Sequence, residues 1–273
     1  MIRTRLETLT VRLLGIAGLG LGCLGLYVDL SSWDSRGLAG GLGAGRVLTA
    51  ETAGRLIDRG EDWPALRSCR RDALLATGRL AAASVDSLIA GGDVARVNPA
   101  VDNLEHIARR ILDCSPGESV AWTWLALARN QTAGHDDEVK RLFERSQWTA
   151  PSDLEVIAIR LPEIARALSR RGDLFVPTAR ADIRALLSAD HNAWDTAQII
   201  GPVFAWIGVI AQEEFTRVTD PVRRKALIQA FGHQRANIAG CERLRFNDWL
   251  YRGQHGSCET EDRIPSFDWQ KTN

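Results

Sequence analysis

The cysteines are the residues of this chain best suited to covalent chemistry, and there are five of them. Cys23 lies in an apolar N-terminal stretch, which leaves Cys69, Cys114, Cys241 and Cys258 for the rest of the chain. An even number of cysteines suits disulfides in an oxidising compartment. We expect the pairs Cys69–Cys114 and Cys241–Cys258; four buried free thiols are the alternative.

The histidines predict no metal or cofactor site. No two of them lie three or four residues apart, as ligands on one helix face would. His255 precedes Cys258 by three residues, and Cys241 could complete a three-ligand set. A closed zinc site requires a fourth ligand and reduced thiols, so we expect neither a metal nor a cofactor.

Catalytic motifs are absent from the sequence. It contains no G-x-S-x-G elbow and no H-E-x-x-H helix. The adjacent acids Glu213 and Glu214 would point apart on a helix, as would Asp136 and Asp137. These pairs therefore indicate solvated helix faces, and a non-enzymatic protein is favoured.

The charge balance excludes nucleic acid as a general partner. Lys plus Arg is 34 and Asp plus Glu is 34, so the formal net charge is zero. No global positive field therefore exists to attract phosphate backbones. The 45% hydrophobic content is typical of a chain that buries a core.

The N-terminus predicts a membrane anchor. Residues 8–28 are uncharged except for Arg12, and they are long enough to cross a bilayer as a helix. Arg3 and Arg5 precede this stretch and Asp29 follows it, so the N-terminus should be cytoplasmic and the body periplasmic. A cleaved signal peptide is the alternative, although the residues after the stretch suit cleavage poorly.

Glycine recurs in and after this stretch. Gly18 and Gly22 form a G-x-x-x-G spacing, which would let two such helices pack closely, but which also arises by chance where glycine is dense. The glycine-rich residues 31–48 predict a flexible tether.

Beyond residue 48, apolar residues recur every three or four positions, which predicts helices throughout. Asn98 before Pro99, and Asp220 before Pro221, have the pattern of an N-cap followed by proline at the first helical position. Pro162 should kink or break a helix.

A 35-residue spacing between Pro116 and Pro151 suggests an internal repeat. The intervening sequence resembles a tetratricopeptide repeat at Trp122, Leu125, Ala126, Gly134, Phe143, Ser146 and Pro151. It departs from that pattern at Val139, where the second helix of the repeat usually has a small residue. This resemblance covers about a quarter of the chain. It implies antiparallel helix pairs, with the tryptophan, Leu125, Ala126 and Phe143 in the core, and a concave protein-binding surface. On such a surface, Arg129 is the expected partner contact.

A second apolar stretch, residues 196–212, contains Gly201 and Pro202. Its purely apolar part has the length of a buried core helix, which we favour; a second membrane span is the alternative.

Together these observations predict four regions: residues 1–30 with the cytoplasmic N-terminus and membrane helix, a linker at 31–48, a periplasmic α-helical repeat-like domain at 49–252, and an irregular tail at 253–273. We expect a single-pass bacterial inner-membrane scaffold that binds a protein partner in a cell-envelope complex. Polysaccharide assembly or export is one setting, by fold-level analogy. The alternatives are an envelope enzyme that acts on glycan or lipid through Asp190, Glu213 or Glu214, and a two-span complex subunit.

Overall fold

All regular secondary structure is helical in the computed structural model, which describes residues 33–43, 48–58, 64–67, 69–131, 136–188 and 190–239. The predicted all-α class is therefore confirmed for these ranges. Several predicted features lie outside the described residues: the membrane span at 8–28, the Gly18 and Gly22 spacing, the Cys241–Cys258 pair, His255 and the tail at 253–273.

The described α-helices follow one another along the chain as α1 (Trp33–Gly43), α2 (Ala50–Asp58), α3 (Arg71–Gly91), α4 (Val94–Cys114), α5 (Ser119–Gln131), α6 (Asp136–Thr149), α7 (Leu154–Arg171), α8 (Val176–Leu187), α9 (Ala193–Ile200), α10 (Phe204–Thr216) and α11 (Pro221–Ala239). Short 3-10 turns are present at Pro64–Arg67, Gly172–Phe175 and Gly201–Val203.

Helices α3 and α4 form the first long hairpin. Only Gly92 and Asp93 separate them, and the two helices pack along their length. Gly92 adopts a φ of +71°, and its N–H donates to the Ile89 carbonyl, while the Asp93 N–H donates to the Leu88 carbonyl. This left-handed C-cap satisfies two terminal carbonyls and reverses the chain within two residues.

Helices α5 to α8 continue the stack. α5 packs against α4, α6 and α7, and α8 packs against α6, α7 and α10. Successive helices thus bury their apolar faces against one another, and the same core contains Leu104, Trp124, Phe143, Ile164 and Ile183.

The glycine-rich segment differs from the predicted tether. Over Trp33–Gly43 it is helical and packs against α3, with Ala39 only 4% exposed. Arg36 Nη1 also donates to Asp72 Oδ2 at 3.2 Å. Contact with a neighbouring helix therefore outweighs the low helix propensity of glycine here.

Residues 196–212 do not form one helix. α9 ends at Ile200, a 3-10 turn covers Gly201–Val203, and α10 begins at Phe204. Ile200, Val203 and Ile207 are all fully buried in the core. The apolar stretch thus contributes to the core as two short helices rather than the single buried helix that we favoured, and Val209 within it is 73% exposed.

One described helix, α3, is long and apolar enough to cross a membrane. However, 56% of its apolar window is buried inside the fold, and core helices of this kind satisfy the same criterion of length and composition. Its Arg79 forms an ion pair with Glu155 of α7. We therefore treat α3 as a core helix.

The predicted helix start at Asn98–Pro99 is wrong, Pro162 does not break its helix, and the predicted start at Pro221 is confirmed. α4 begins at Val94, so that Pro99 lies inside the helix, and α7 continues through Pro162 without a break. α11 does begin at Pro221, where Asp220 Oδ1 accepts a hydrogen bond from the Val222 N–H at 3.0 Å.

Candidate partner-docking surface

Arg129, the predicted partner contact, is half-buried in the helix stack. Its Nη2 lies 2.8 Å from Glu105 Oε1 on α4, and its Nε lies 3.5 Å from Glu138 Oε1 on α6. The side chain is only 23% exposed. Arg129 therefore links three helices electrostatically, and the prediction that it stands exposed for a partner is wrong.

The hairpin of α5 and α6 buries most of the predicted core but a different tryptophan. Leu125, Ala126 and Phe143 are buried, as expected. Trp122 is half-buried, and its Nε1 donates to the Pro116 carbonyl at 2.9 Å. The fully packed indole belongs to Trp124, two positions further along.

A buried polar network joins α5, α6, α7 and α8. Arg160 and Asp182 form a bidentate pair, with Nε–Oδ2 at 2.8 Å and Nη2–Oδ1 at 2.7 Å, and both side chains are at most 1% exposed. Arg160 Nη1 also donates to Ser146 Oγ at 2.9 Å. Ser146 in turn donates to the Ser119 carbonyl. With no access to solvent, this network fixes helix positions and has no route to a substrate.

The same network fixes the rotation of α6. Gln147 Nε2 donates to the Thr178 carbonyl at 2.7 Å and to Asp182 Oδ1 at 2.9 Å, both on α8. Burial raises the pKa of the Asp182 carboxyl, while the bonds from Arg160 and Gln147 oppose that shift. Because Gln147 faces α8, its neighbour Trp148, about 100° further around the helix, must face outward.

Trp148 is indeed 77% exposed, whereas Trp194, the other exposed tryptophan of the described chain, is 39% exposed. Arg141 and Arg145 precede it by seven and three residues, so all three lie on one face of α6. Both arginines are exposed, and neither guanidinium group has a hydrogen bond or ion pair with any described residue. We call Arg141, Arg145 and Trp148 the α6 stripe.

The stripe has the composition of a binding hot spot in a protein–protein interface. Trp and Arg are enriched among the residues whose truncation costs most binding energy. Isolated exposed apolar residues are common, but a bare indole flanked by two unpaired guanidinium groups also offers cation–π and charge-assisted contacts. The stripe was not predicted from the sequence, although the i, i+4, i+7 spacing of these residues is visible there.

The carboxylates considered for catalysis are not arranged as a reactive site. Glu214 is buried and accepts hydrogen bonds from Arg184 and Arg217, and Glu213 pairs with Arg180 Nη2 at 2.6 Å. Burial disfavours ionisation of Glu214, but the arginines outweigh it and lower its pKa. Such a carboxylate is held as an anion and is a poor proton donor.

No hydrogen bond or ion pair joins Asp190, His191 or His233 to this pair in the described part of the chain. Asp190 is exposed between α8 and α9. The His191 carbonyl accepts a hydrogen bond from Arg223 Nη1 at 2.6 Å, and the His233 ring packs against Trp194. No group of three His, Cys, Asp or Glu side chains in the described ranges could hold a metal ion.

Cys69 and Cys114 are joined by a disulfide, the pairing that the sequence favoured, with their Cα atoms 5.4 Å apart. Cys69 immediately precedes the segment leading into α3, and Cys114 ends α4, so the antiparallel hairpin brings them together. Arg71 Nε donates to Glu118 Oε2 at 2.7 Å across the same end of the hairpin.

Comparison with known proteins gives no relative for this chain: no protein-family model, no curated protein and no solved structure matches it.

Proposed function

We propose that this chain is a membrane-anchored periplasmic accessory protein that docks a protein partner of a cell-envelope complex through the α6 stripe. The observation that carries the proposal is Trp148, which is 77% exposed on a helix whose rotation Gln147 fixes. The packing of α6 therefore holds the indole facing solvent, where it is available for burial against a partner.

The stacked hairpins support a role in docking. A tetratricopeptide-like array, as the resemblance implies, gives extended surfaces made of successive helices. Here the polar network between α5 and α8 makes that surface rigid, and a rigid surface loses little entropy on binding. We place the partner on the α6 stripe instead of on Arg129, whose guanidinium is already used by Glu105 and Glu138.

The periplasmic location is supported by the Cys69–Cys114 pair. Disulfides persist in exported proteins and are rare in the reducing bacterial cytosol. A single-pass anchor at residues 8–28 would deliver the body to that compartment with its N-terminus inside. Pairing of two anchors through Gly18 and Gly22 would allow the protein to self-associate.

The alternatives lose support from particular contacts. An envelope enzyme would need a carboxylate free to exchange a proton, and Glu213 and Glu214 are both ion-paired. A two-span subunit would need one continuous helix over residues 196–212, where the helix stops at Ile200 and resumes at Phe204.

Photo-crosslinking in cells tests the docking surface. A photoreactive amino acid at position 148 should crosslink one specific partner, whereas the same group at position 94, where Val94 is 79% exposed on α4, should not. Substitution of both arginines by glutamine in the 148 variant should abolish the crosslink. Equal crosslinking from 94 and 148, or none from either in a correctly folded chain, would contradict docking through the stripe.

Reporter fusions test the topology separately. A reporter that is active only in the periplasm should work when fused near residue 150 and after Asn273. Activity at the first site and not at the second would establish a second span. An inactive reporter at both sites would remove the periplasmic proposal while leaving the crosslinking result standing.

A further inference from the structure

Glu214 lies at the centre of a group of arginines on the surface formed by α8 and α10. Arg184 contacts it through two bonds, Nε–Oε2 at 2.9 Å and Nη2–Oε1 at 3.3 Å, and Arg217 Nη1 contacts Oε1 at 2.5 Å. Arg180 Nε lies 3.6 Å from the same Oε1. The Glu214 side chain is fully buried, but those of Arg184 and Arg217 are 61% and 55% exposed.

This cluster carries a net positive charge. Three guanidinium groups surround two carboxylates, those of Glu214 and of its neighbour Glu213, so one positive charge is uncompensated within the cluster. Arg184 alone engages both oxygens of Glu214, and Arg217 contacts an oxygen that already has a donor. Satisfying the buried carboxylate therefore does not require Arg217.

Donors remain available on the exposed side of both arginines. A guanidinium carries five N–H groups. Nη1 of Arg184, and Nε and Nη2 of Arg217, have no hydrogen-bond partner within the described part of the chain. Because one buried anion orients both groups, these donors are held in place before any ligand arrives, which reduces the entropy lost on binding.

We propose that Arg184 and Arg217, oriented by Glu214, form a site for a phosphate group on the outer face of α8 and α10. Planar guanidinium groups bind phosphate through pairs of parallel N–H···O bonds, and a phosphate offers several oxygens for two such groups. Its negative charge also matches the positive charge that the cluster leaves uncompensated. The site is separate from the α6 stripe and does not depend on the protein partner proposed above.

A phosphate can reach this face from two sources: a soluble phosphate compound or the headgroup of an anionic phospholipid. The chemistry of recognition is the same for both. The two sources are therefore separate arms of one experiment.

Calorimetric titration tests the site. The full chain in micelles of an uncharged detergent is titrated with inorganic phosphate at constant ionic strength, with acetate as a reference anion. We expect saturable phosphate binding that Arg217→Gln weakens at least about tenfold. The matched control is Arg109→Gln, which removes an exposed arginine that is ion-paired with Glu105 on α4. It should bind as the unmodified chain does.

Three outcomes would overturn the proposal: no saturable phosphate binding, equal weakening by both substitutions, or binding that Arg217→Gln leaves unchanged. Arg217→Gln retains the two bonds from Arg184 to Glu214, and its helix content and unfolding temperature are measured first. If that variant is unstable, Arg217→Lys replaces it, because lysine keeps the charge but cannot form the paired bonds and should still weaken phosphate binding.

The lipid arm repeats the titration in nanodiscs. If anionic headgroups fill the site, soluble phosphate should bind more weakly in discs containing phosphatidylglycerol than in discs of phosphatidylcholine alone, and Arg217→Gln should remove that difference. Equal affinities in the two discs would assign the site to a soluble phosphate compound.

Discussion

Gly78 of α3 packs directly against the indole of Trp124 on α5. A Cβ atom at position 78 would lie 2.1 Å from Cζ3 of that ring, far inside the contact distance, and two more ring atoms would lie within 2.8 Å. Trp124 is itself only 2% exposed, so other core residues enclose the ring. The absence of a side chain at residue 78 is therefore what allows α3 and α5 to approach with this indole between them.

Gly78→Ala should therefore destabilise the protein, although alanine is the better helix former. Overpacking a rigid core costs about 1–3 kcal/mol, and the gain in helix propensity of about 1 kcal/mol only partly offsets it. The matched control is Gly40→Ala in α1, where a Cβ would meet nothing within 4 Å. Thermal unfolding of the full chain should show a lower midpoint for the first variant and an unchanged or higher one for the second. A higher midpoint for Gly78→Ala would show that the indole can shift.

The same contact explains the limit of the sequence analysis of the core. Apolar periodicity sufficed to predict helices, because each helix repeats its own buried face. It could not decide between Trp122 and Trp124, because the space for an indole is made by Gly78, which is 46 positions before Trp124 in the chain. The choice therefore depends on the packing of α3 against α5, and no local pattern records it.

The exposure of Arg129 was mispredicted for a related reason. Arg129 has the sequence context of an exposed residue on the first helix of a repeat, but Glu105 and Glu138 from two neighbouring helices reach it. The exposure of Trp148 likewise follows from the bonds between Gln147 and α8. Which face of a polar helix stays exposed is thus decided by contacts between elements. The Cys69–Cys114 pair, in contrast, could be anticipated because each cysteine follows a stripe of apolar residues in the sequence.

Breaking the buried pair between Arg160 and Asp182 should be costly. Asp182→Asn leaves the fully buried Arg160 without its counter-charge, and loss of one partner of such a pair costs about 3–5 kcal/mol. Replacing both with apolar residues, as Arg160→Met with Asp182→Leu, should recover much of that loss. Denaturant unfolding of the single and double variants measures the difference.

The control for this cycle is Arg55→Gln, which removes an exposed ion pair with Glu51 on α2. Exposed pairs of this kind contribute little, so its unfolding midpoint should not change. A double variant that is less stable than Asp182→Asn would mean that the remaining hydroxyl and amide groups of the network, chiefly Ser146 and Gln147, depend on the charges for their own bonds.

Asp86 should make the stability fall as the pH rises. Its Oδ1 is shielded from solvent and has no hydrogen-bond partner among the described residues. Burial raises the pKa of Asp86, and the nearby charge of Arg166 opposes that shift without cancelling it. The folded protein thus holds this proton more tightly than the unfolded chain does, so stability decreases from about pH 4, the usual value for Asp, up through the raised pKa.

Asp86→Asn removes this ionisation, so the variant should be more stable than the unmodified chain at pH 7 and equal to it below about pH 4. Unfolding temperatures at several pH values provide the measurement. Asp102→Asn on the exposed face of α4 is the control, and its unfolding temperature at pH 7 should not exceed that of the unmodified chain. A loss of stability at pH 7 in Asp86→Asn would show that the charge itself is used in the folded state, against Arg166.

The disulfide links the fold to the compartment in which the body is proposed to lie. Cys69 and Cys114 should resist thiol reagents in protein extracted from membranes under blocking conditions, and Cys69→Ser should make Cys114 reactive. The bridge closes a long loop, so its loss should lower the free energy of unfolding by about 2–4 kcal/mol.

The same body produced in the cytosol without its N-terminal 30 residues should show both thiols free and a lower unfolding temperature. Oxidation in vitro should restore that temperature. A bridge found in cytosolic protein, or absent from membrane-extracted protein, would no longer support export. The packing of α3 against α4, which brings the two cysteines together, would not be affected by that result.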